Sequence, residues 1–344
     1  MMSQREAVEL LASPDLIGIG MAADAVRRKL HPEGVVTYII DRNINYTNFC
    51  TEYCSFCAFY RPMGHAEGYV LSKEVIFDKI RETLELGGTG ILMQGGLHAE
   101  LTIGWYEDLL SSIKRRFPRI HLHCFSAPEI LHIAHVSGLP LRDTIARLRD
   151  AGLDSIPGGG AEILDDAVRY RISRLKCSTA EWVEVHRTAH RLGMRTTATM
   201  MFGCGETLEQ RVNHLEVVRR LQEETGGFTA FIPWTFQREN TSLGRFVKEE
   251  ATAVEYLKTL AVSRLYLENI PNVQSSWVTQ GLKTCQLGLR FGANDVGSVM
   301  IEENVVSAAG AHHRSTEEEL RRIIRDAGFI PKQRDTLYRT LFLN

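Results

Sequence analysis

Cys50, Cys54 and Cys57 stand in a C-x3-C-x2-C pattern within one short segment, residues 45–61. Thiolates are ligands for soft metals, and this spacing lets three sulfurs converge on one iron–sulfur cluster. A cluster that only carries electrons or braces a fold usually takes four cysteines, so three leave one iron open to another ligand. Structural zinc is the competing reading. Zinc asks for a second close ligand pair, and the nearby helper is His65 alone. Phe49, Tyr53, Phe56, Phe59 and Tyr60 interleave the cysteines, an apolar shell that suits a cluster better than a solvent-facing zinc knuckle.

Other residues could do chemistry beside such a group. Gln94, Gly95 and Gly96 form a turn whose glycines raise no side-chain wall, open either to a ligand's approach or to a tight turn. Glu162 follows three glycines, an entropic expense that close approach would justify; it also suits the first turn of a helix, where a carboxylate favours the macrodipole. His121 and His123 alternate with Leu122 and Cys124, so both histidines share one strand face. A satisfied core histidine is the default, but if that face lines a cavity, His123 could bind an anion or move a proton. Residues 203–207 end a strand and begin a helix, with backbone amides able to cradle an anion and Thr207 able to cap. His186 and His190 sit four apart on a helix without a third zinc ligand and read as surface; Cys124, Cys177, Cys204 and Cys285 read as small buried hydrophobes.

The elements that must position these residues alternate. Strands are predicted over 35–40, 90–93, 120–125, 155–157, 196–202, 228–232, 273–276 and 291–294. Helices fall between them, among them 72–86 with Ser72 as cap, 105–116, 179–192 and 207–224. Eight strand–helix alternations without a break in composition predict a parallel (β/α)8 barrel of the TIM type, with catalytic residues at the C-terminal strand ends. The expected organisation is a helical leader over 1–34, the barrel over 35–300 and a helical segment over 301–344 packed on it, one domain overall.

Composition narrows the function. At 344 residues, 44% hydrophobic and 24% charged, the chain has material for a large core. A formal net charge of -2 argues against a nucleic-acid partner. No apolar run approaches the ~20 residues of a membrane span, and no export signal is visible. Seven cysteines in such a chain are no disulfide framework, and the expected compartment is a reducing cytoplasm.

The cysteine spacing, with the aromatic Phe56 just before the third cysteine, resembles the radical S-adenosylmethionine (SAM) enzymes. The resemblance implies a radical SAM barrel holding a 4Fe-4S cluster on Cys50, Cys54 and Cys57, with SAM chelating the open iron and splitting to a 5'-deoxyadenosyl radical. It further implies that Phe56 lies beside the adenine, that Gln94, Gly95 and Gly96 contact the SAM amino group, and that Glu162 bonds the ribose or amine of SAM. Arg169, Arg171 and Arg174 compete as partner of the SAM carboxylate. Residues 42–48, 123–130 and 292–298, with Pro233-Trp234-Thr235-Phe236-Gln237, resemble the futalosine-pathway enzymes of menaquinone biosynthesis. The tryptophan-bearing stretch points to the cyclising branch. That branch implies dehypoxanthine futalosine as substrate, hydrogen abstraction from its ribose C4', addition to the benzoate ring, and a low-potential electron donor as partner. Asp295 is then the expected base for rearomatisation, a turn or helix-cap aspartate being the alternative. The aminofutalosine-forming branch on the same scaffold, and an iron–sulfur electron carrier of another class, are the rivals; a carrier needs neither a barrel-sized cavity nor an open iron.

Overall fold

In the computed structural model, which describes residues 2–340, two helices precede the first strand: α1 (Gln4–Ala12) and α2 (Leu16–Leu30). Each begins on a side-chain cap, Ser3 in a reciprocal box with Glu6 and Asp15 bonding the Gly18 amide. The β-branched run that follows makes β1 (Val35–Ile39) and, past Ile40, β2 (Asp41–Ile44). The chain continues as α3 (Lys73–Glu85), β3 (Gly90–Met93), α4 (Ile103–Arg116), β4 (His121–Cys124), α5 (Ala127–Ser137), α6 (Leu141–Ala151) and β5 (Ser155–Ile156). Then come α7 (Asp166–Ile172), α8 (Thr179–Arg191), β6 (Arg195–Phe202), α9 (Leu208–Thr225), β7 (Phe228–Thr235), α10 (Ala253–Tyr266) and β8 (Asn272–Val273). Finally α11 (Gly281–Gly288), β9 (Asp295–Ser298), α12 (Glu317–Asp326) and β10 (Ile330–Gln333) complete the described chain.

Strands β2 to β8 pair in sequence order, all parallel. The ring closes through β9, which pairs with β1 in parallel and meets the end of β8 in a bridge between Gln274 and Asp295. Because β1 and β2 are two halves of one stave, this is an eight-stave (β/α)8 barrel. Helices α3 to α11 pack outside it, and Ile44, Ile91, Leu122, Ile156, Ala198 and Phe231 belong to one continuous core. Among the described residues no helix is long and apolar enough to cross a membrane.

Two expected boundaries are corrected. The strand expected over 291–294 starts later: Gly292 takes φ +96, and a Cβ there would stand 2.8 Å from the Arg264 side chain, so the chain turns before entering β9. Asn294 and Asp295 therefore stand at the start of the last stave, at the barrel's lower end, and not beyond its mouth. The segment after residue 301 is not only helical. After α12 it adds β10 parallel to β1, pairing Val35 with Ile330 through Tyr38 with Gln333, and Arg334, Thr336 and Tyr338 of the following tail line the barrel's cavity. Residues 341–344 of that segment lie outside the described residues.

Candidate active site

The cysteine loop leaves β2 and is pinned to the barrel mouth by backbone bonds. Thr51 N–H donates to Leu97 O at 3.1 Å, Ser55 N–H to Ile172 O at 2.9 Å, and Cys50 N–H to Arg61 O at 3.0 Å. The Arg61 guanidinium gathers the carbonyls of Ala58 and Tyr60 at 3.2 and 3.0 Å, which curls the loop back on itself. Cys50 and Cys54 are buried and Cys57 half-buried, all as free thiols. Burial pushes the Cys54 thiol up to about 12; the Lys176 ammonium opposes this, while Glu162 and the other two thiols add to it. The three sulfurs are thus near enough to feel one another's charge. Among the described residues no three His, Cys, Asp or Glu side chains are drawn together as ligands of a single ion would be.

The glycine turn after β3 serves this loop directly. A Cβ on Gly95 would stand 2.7 Å from the Tyr46 ring, and one on Gly96 would stand 2.1 Å from Phe49 O and 2.8 Å from Cys50 Cβ. The absent side chains let the turn press against the cysteine loop. Glu129 locks the contact: Oε1 accepts from Gly95 N–H and from Tyr46 O–H, both at 2.9 Å, while Oε2 accepts from Ser126 N–H and Oγ–H at 2.7 and 2.6 Å. Glu129 and Lys176 escaped sequence reasoning, since each looks like an ordinary helix-start or loop charge.

Glu162 sits on a left-handed backbone at φ +40, an unusual cost for a side chain with a Cβ. Lys176 Nζ donates to its Oε1 at 2.9 Å, and Arg169 Nη1 lies 3.6 Å from Oε2. That Oε2 is buried and carries no hydrogen bond among the described residues, an orphan acceptor on a residue that lines the cavity. Lys176 also lies 5.2 Å from the Phe56 ring centroid, which ties the cysteine loop to Glu162. Of the competing arginines, Arg169 is spent on the carbonyls of Gly160, Ala161 and Cys177, and so holds the triple-glycine turn in place. Arg171 donates to Gly205 O at 2.7 Å.

Inside the barrel lies a cavity of about 310 Å³. Barrel interiors are usually filled by branched side chains. Here Asn43, Thr197, Thr199 and Gly158 are too small to fill the lumen. Gln94 and Glu162 face it near the cysteine loop, Trp234 and Trp277 form its walls, and Arg334, Thr336 and Tyr338 from the tail also line it.

His123 reaches the cavity with Nδ1 2.6 Å from Ser155 Oγ, which it shares with His121 Nε2 at 2.7 Å. Burial, reinforced by His121 and Arg334, lowers His123 to about 3, so it is neutral and offers an anion no charge. Asp295 does not line the cavity. Oδ2 accepts from Arg334 Nε at 2.6 Å and Thr37 Oγ at 2.5 Å, and Oδ1 accepts from Arg334 Nη2 at 3.0 Å and Gly297 N–H at 2.8 Å. With both oxygens engaged at the lower end of the barrel, Asp295 is not free to act as the base expected from the sequence. The amides of Gly203 and Cys204 form no open anion cradle either, because Glu206 accepts from both at 2.8 Å. His186 is fully buried against Trp182 instead of lying at the surface.

The family described as "Radical SAM superfamily" matches residues 44–218, and "CofH/MqnC C-terminal region" matches residues 225–343. The chain is similar to the cyclic dehypoxanthine futalosine synthase of Halalkalibacterium halodurans, 52% identical over 98% of this chain and 90% of the relative. It is also similar to the protein of that name from Streptomyces coelicolor, 45% identical over 98% and 85%. The 5-amino-6-(D-ribitylamino)uracil--L-tyrosine 4-hydroxyphenyl transferase of Methanothermobacter thermautotrophicus is 44% identical over 95% and 90%. Among solved structures, methylornithine synthase superposes with a TM-score of 0.73 at 19% identity, covering 96% of this chain and 94% of that one, which shows a shared fold.

Proposed function

Because the chain belongs to the radical SAM superfamily, we propose that it closes dehypoxanthine futalosine to its cyclic, spiro-fused product in menaquinone biosynthesis. The observation that carries this reading is identity of 52% and 45%, across 98% of the chain, to two synthases named for that product. Cys50, Cys54 and Cys57 would hold a 4Fe-4S cluster, with Phe56, Gln94, Gly95, Gly96 and Glu162 grouped beside it for SAM. Bound there, the pair supplies a 5'-deoxyadenosyl radical, given an electron from a low-potential donor.

This chain's residues do the rest by binding and exclusion. The orphan Oε2 of Glu162 is an acceptor for a hydroxyl or ammonium group of SAM, and Lys176 holds the carboxylate in place for it. Trp234 and Trp277 wall the cavity with flat apolar surface that matches a benzoate ring and displaces water. The enclosed lumen holds the ribose C4'–H and the ring near one another, the proximity that an intramolecular addition needs.

The test is direct. With SAM and dithionite, the reconstituted enzyme is expected to convert dehypoxanthine futalosine into a product lighter by two hydrogens, with deuterium from C4' passing to 5'-deoxyadenosine. Enolpyruvyl benzoate and L-tyrosine with ribitylaminouracil should remain unchanged. Aminofutalosine formed from enolpyruvyl benzoate, or a hydroxyphenyl transfer product, would assign the chain to a different reaction.

A further inference from the structure

Ring closure releases a proton, and four side chains of the cavity are able in principle to take one: Asp41, Glu162, Glu303 and His123. Three of them are committed elsewhere. Glu162 is neutralised by Lys176 at 2.9 Å and Arg169 at 3.6 Å. Glu303 spends its oxygens on the backbone N–H groups of Val305, Val306 and Ser307 at 2.8, 2.9 and 2.7 Å. His123 is bonded to Ser155, and its lowered basicity makes it a poor proton acceptor.

Asp41, the first residue of β2, is different. Ser298 Oγ already accepts from Met300 N–H at 2.6 Å, so its own proton is aimed at Asp41 Oδ1. That bond fixes the carboxylate's orientation. Among the described residues the Asp41 side chain accepts only through Oδ1, which leaves Oδ2 without a hydrogen-bond partner, and Asp41 lines the cavity. The charged groups that act on it are Arg334, from the tail, and Asp295, from β9. Burial raises its pKa to about 6, with Ser298 and Arg334 pulling back and Asp295 adding. An acceptor so tuned is ionised near neutral pH yet basic enough to hold a proton.

We propose that Asp41 is the general base of the ring closure, its Oδ2 receiving the proton lost when the attacked ring carbon becomes aromatic again. This rests on the cyclisation reading above. At that carbon the C–H bond breaks and the proton passes to Asp41. The C–H pair joins the five π electrons of the ring radical, and the one surplus electron leaves to a one-electron acceptor of the iron–sulfur class, which restores the sextet.

The holoenzyme decides the matter by counting cyclic product per 5'-deoxyadenosine with C4'-deuterated substrate. In Asp41→Asn, deuterium should still reach 5'-deoxyadenosine while that ratio falls about a hundredfold, the low end of a general base's contribution. Asp41→Glu should restore part of it. In wild type the ratio should fall as pH drops through about 6, where Asp41 takes up its proton, and the Asn variant should lose that dependence. An Asn variant with the wild-type ratio overturns the assignment. So does one that also stops releasing deuterated 5'-deoxyadenosine, since that places Asp41 in substrate binding. If wild type makes no cyclic product, the cyclisation reading itself fails, and the base fails with it.

Discussion

Replacing Arg334 with methionine would test whether the C-terminal tail is fastened to the barrel by one buried charge pair. Methionine keeps most of the length and loses the guanidinium. Arg334 meets Asp295 through two parallel bonds of 2.6 and 3.0 Å and donates from Nη1 to Asp335 O at 3.1 Å. Its side chain is 6% exposed and that of Asp295 0%, so neither charge has water to fall back on. Burial pulls the Arg334 pKa down, but the Asp295 carboxylate more than offsets this and holds it above the usual value. Removing one partner of such a pair typically costs about 3–5 kcal/mol, because the other is left as an uncompensated buried charge. For a chain of 344 residues, an unfolding entropy of about 2.1 cal/mol/K per residue gives about 0.7 kcal/mol per degree. The apparent Tm of Arg334→Met should therefore drop by about 4–7 °C at a fixed scan rate, read by circular dichroism. Adding Asp295→Asn removes the orphaned charge while still accepting from Thr37, so the double variant should recover much of the loss. A single variant within a degree of wild type, or a double variant no better than the single, would refute the argument.

Alanine at Cys50, Cys54 or Cys57 should abolish the content of about four irons and four sulfides per reconstituted chain, with loss of reductive SAM cleavage. Alanine at Cys124, Cys177, Cys204 or Cys285, which lie outside the loop, should preserve both; full iron content in Cys54→Ala, or one equivalent of zinc in native protein, would reverse the assignment. For Glu162→Gln, cluster content should survive while SAM affinity weakens by about 1.5–3 kcal/mol, roughly ten- to a hundredfold, through loss of a charge-assisted bond. An unchanged SAM dissociation constant would leave Glu162 as a purely structural partner of Lys176.

Where a stave meets the cavity through apolar or β-branched side chains, as β3 does with Leu92 and β6 with Thr197 and Thr199, its sequence announced it. Gly90-Ile91-Leu92-Met93 and the long strand β6 fall where the branched and apolar residues predict them. Staves that meet the cavity through other polar side chains were harder to read. In β2, Asp41 and Asn43 point at the lumen while Arg42 reaches out to Glu82 at 2.8 Å, so the run reads as polar loop. The strand β9, Asp-Val-Gly-Ser, has the same character, which is why the expected start falls four residues early. Hydrophobic periodicity registers the contrast between core and solvent, and an internal cavity lined by polar side chains erases that contrast. The three cysteines were legible because their chemistry needs a local spacing. Lys176, Glu129 and Asp41 were not, because each acquires its role from partners far along the chain: Glu162, Gly95 and Ser298.

This contrast bears on how the barrel divides its work. Staves β2 to β5 and their loops carry the cysteines, the glycine turn and Glu162, and these are knitted together by Glu129, Lys176 and Arg169 into one rigid rim. The later staves and the tail supply Trp234, Trp277, Ser298 and Arg334 to the cavity. A carbon radical held there must be kept from stray hydrogen donors, and the S–H bond is among the weakest that a protein offers. Cys124, Cys204 and Cys285 are buried, yet neither they nor Cys177 line the cavity. Arg334 is held by Asp295 through a network in which Thr37 and Gly297 also take part, so the tail meets the lumen with its charge already matched. Glu162 also keeps a free oxygen but has Lys176 and Arg169 beside it, whereas Asp41 has a free oxygen and no ion-pair partner among the described residues, and that difference singles it out for proton transfer.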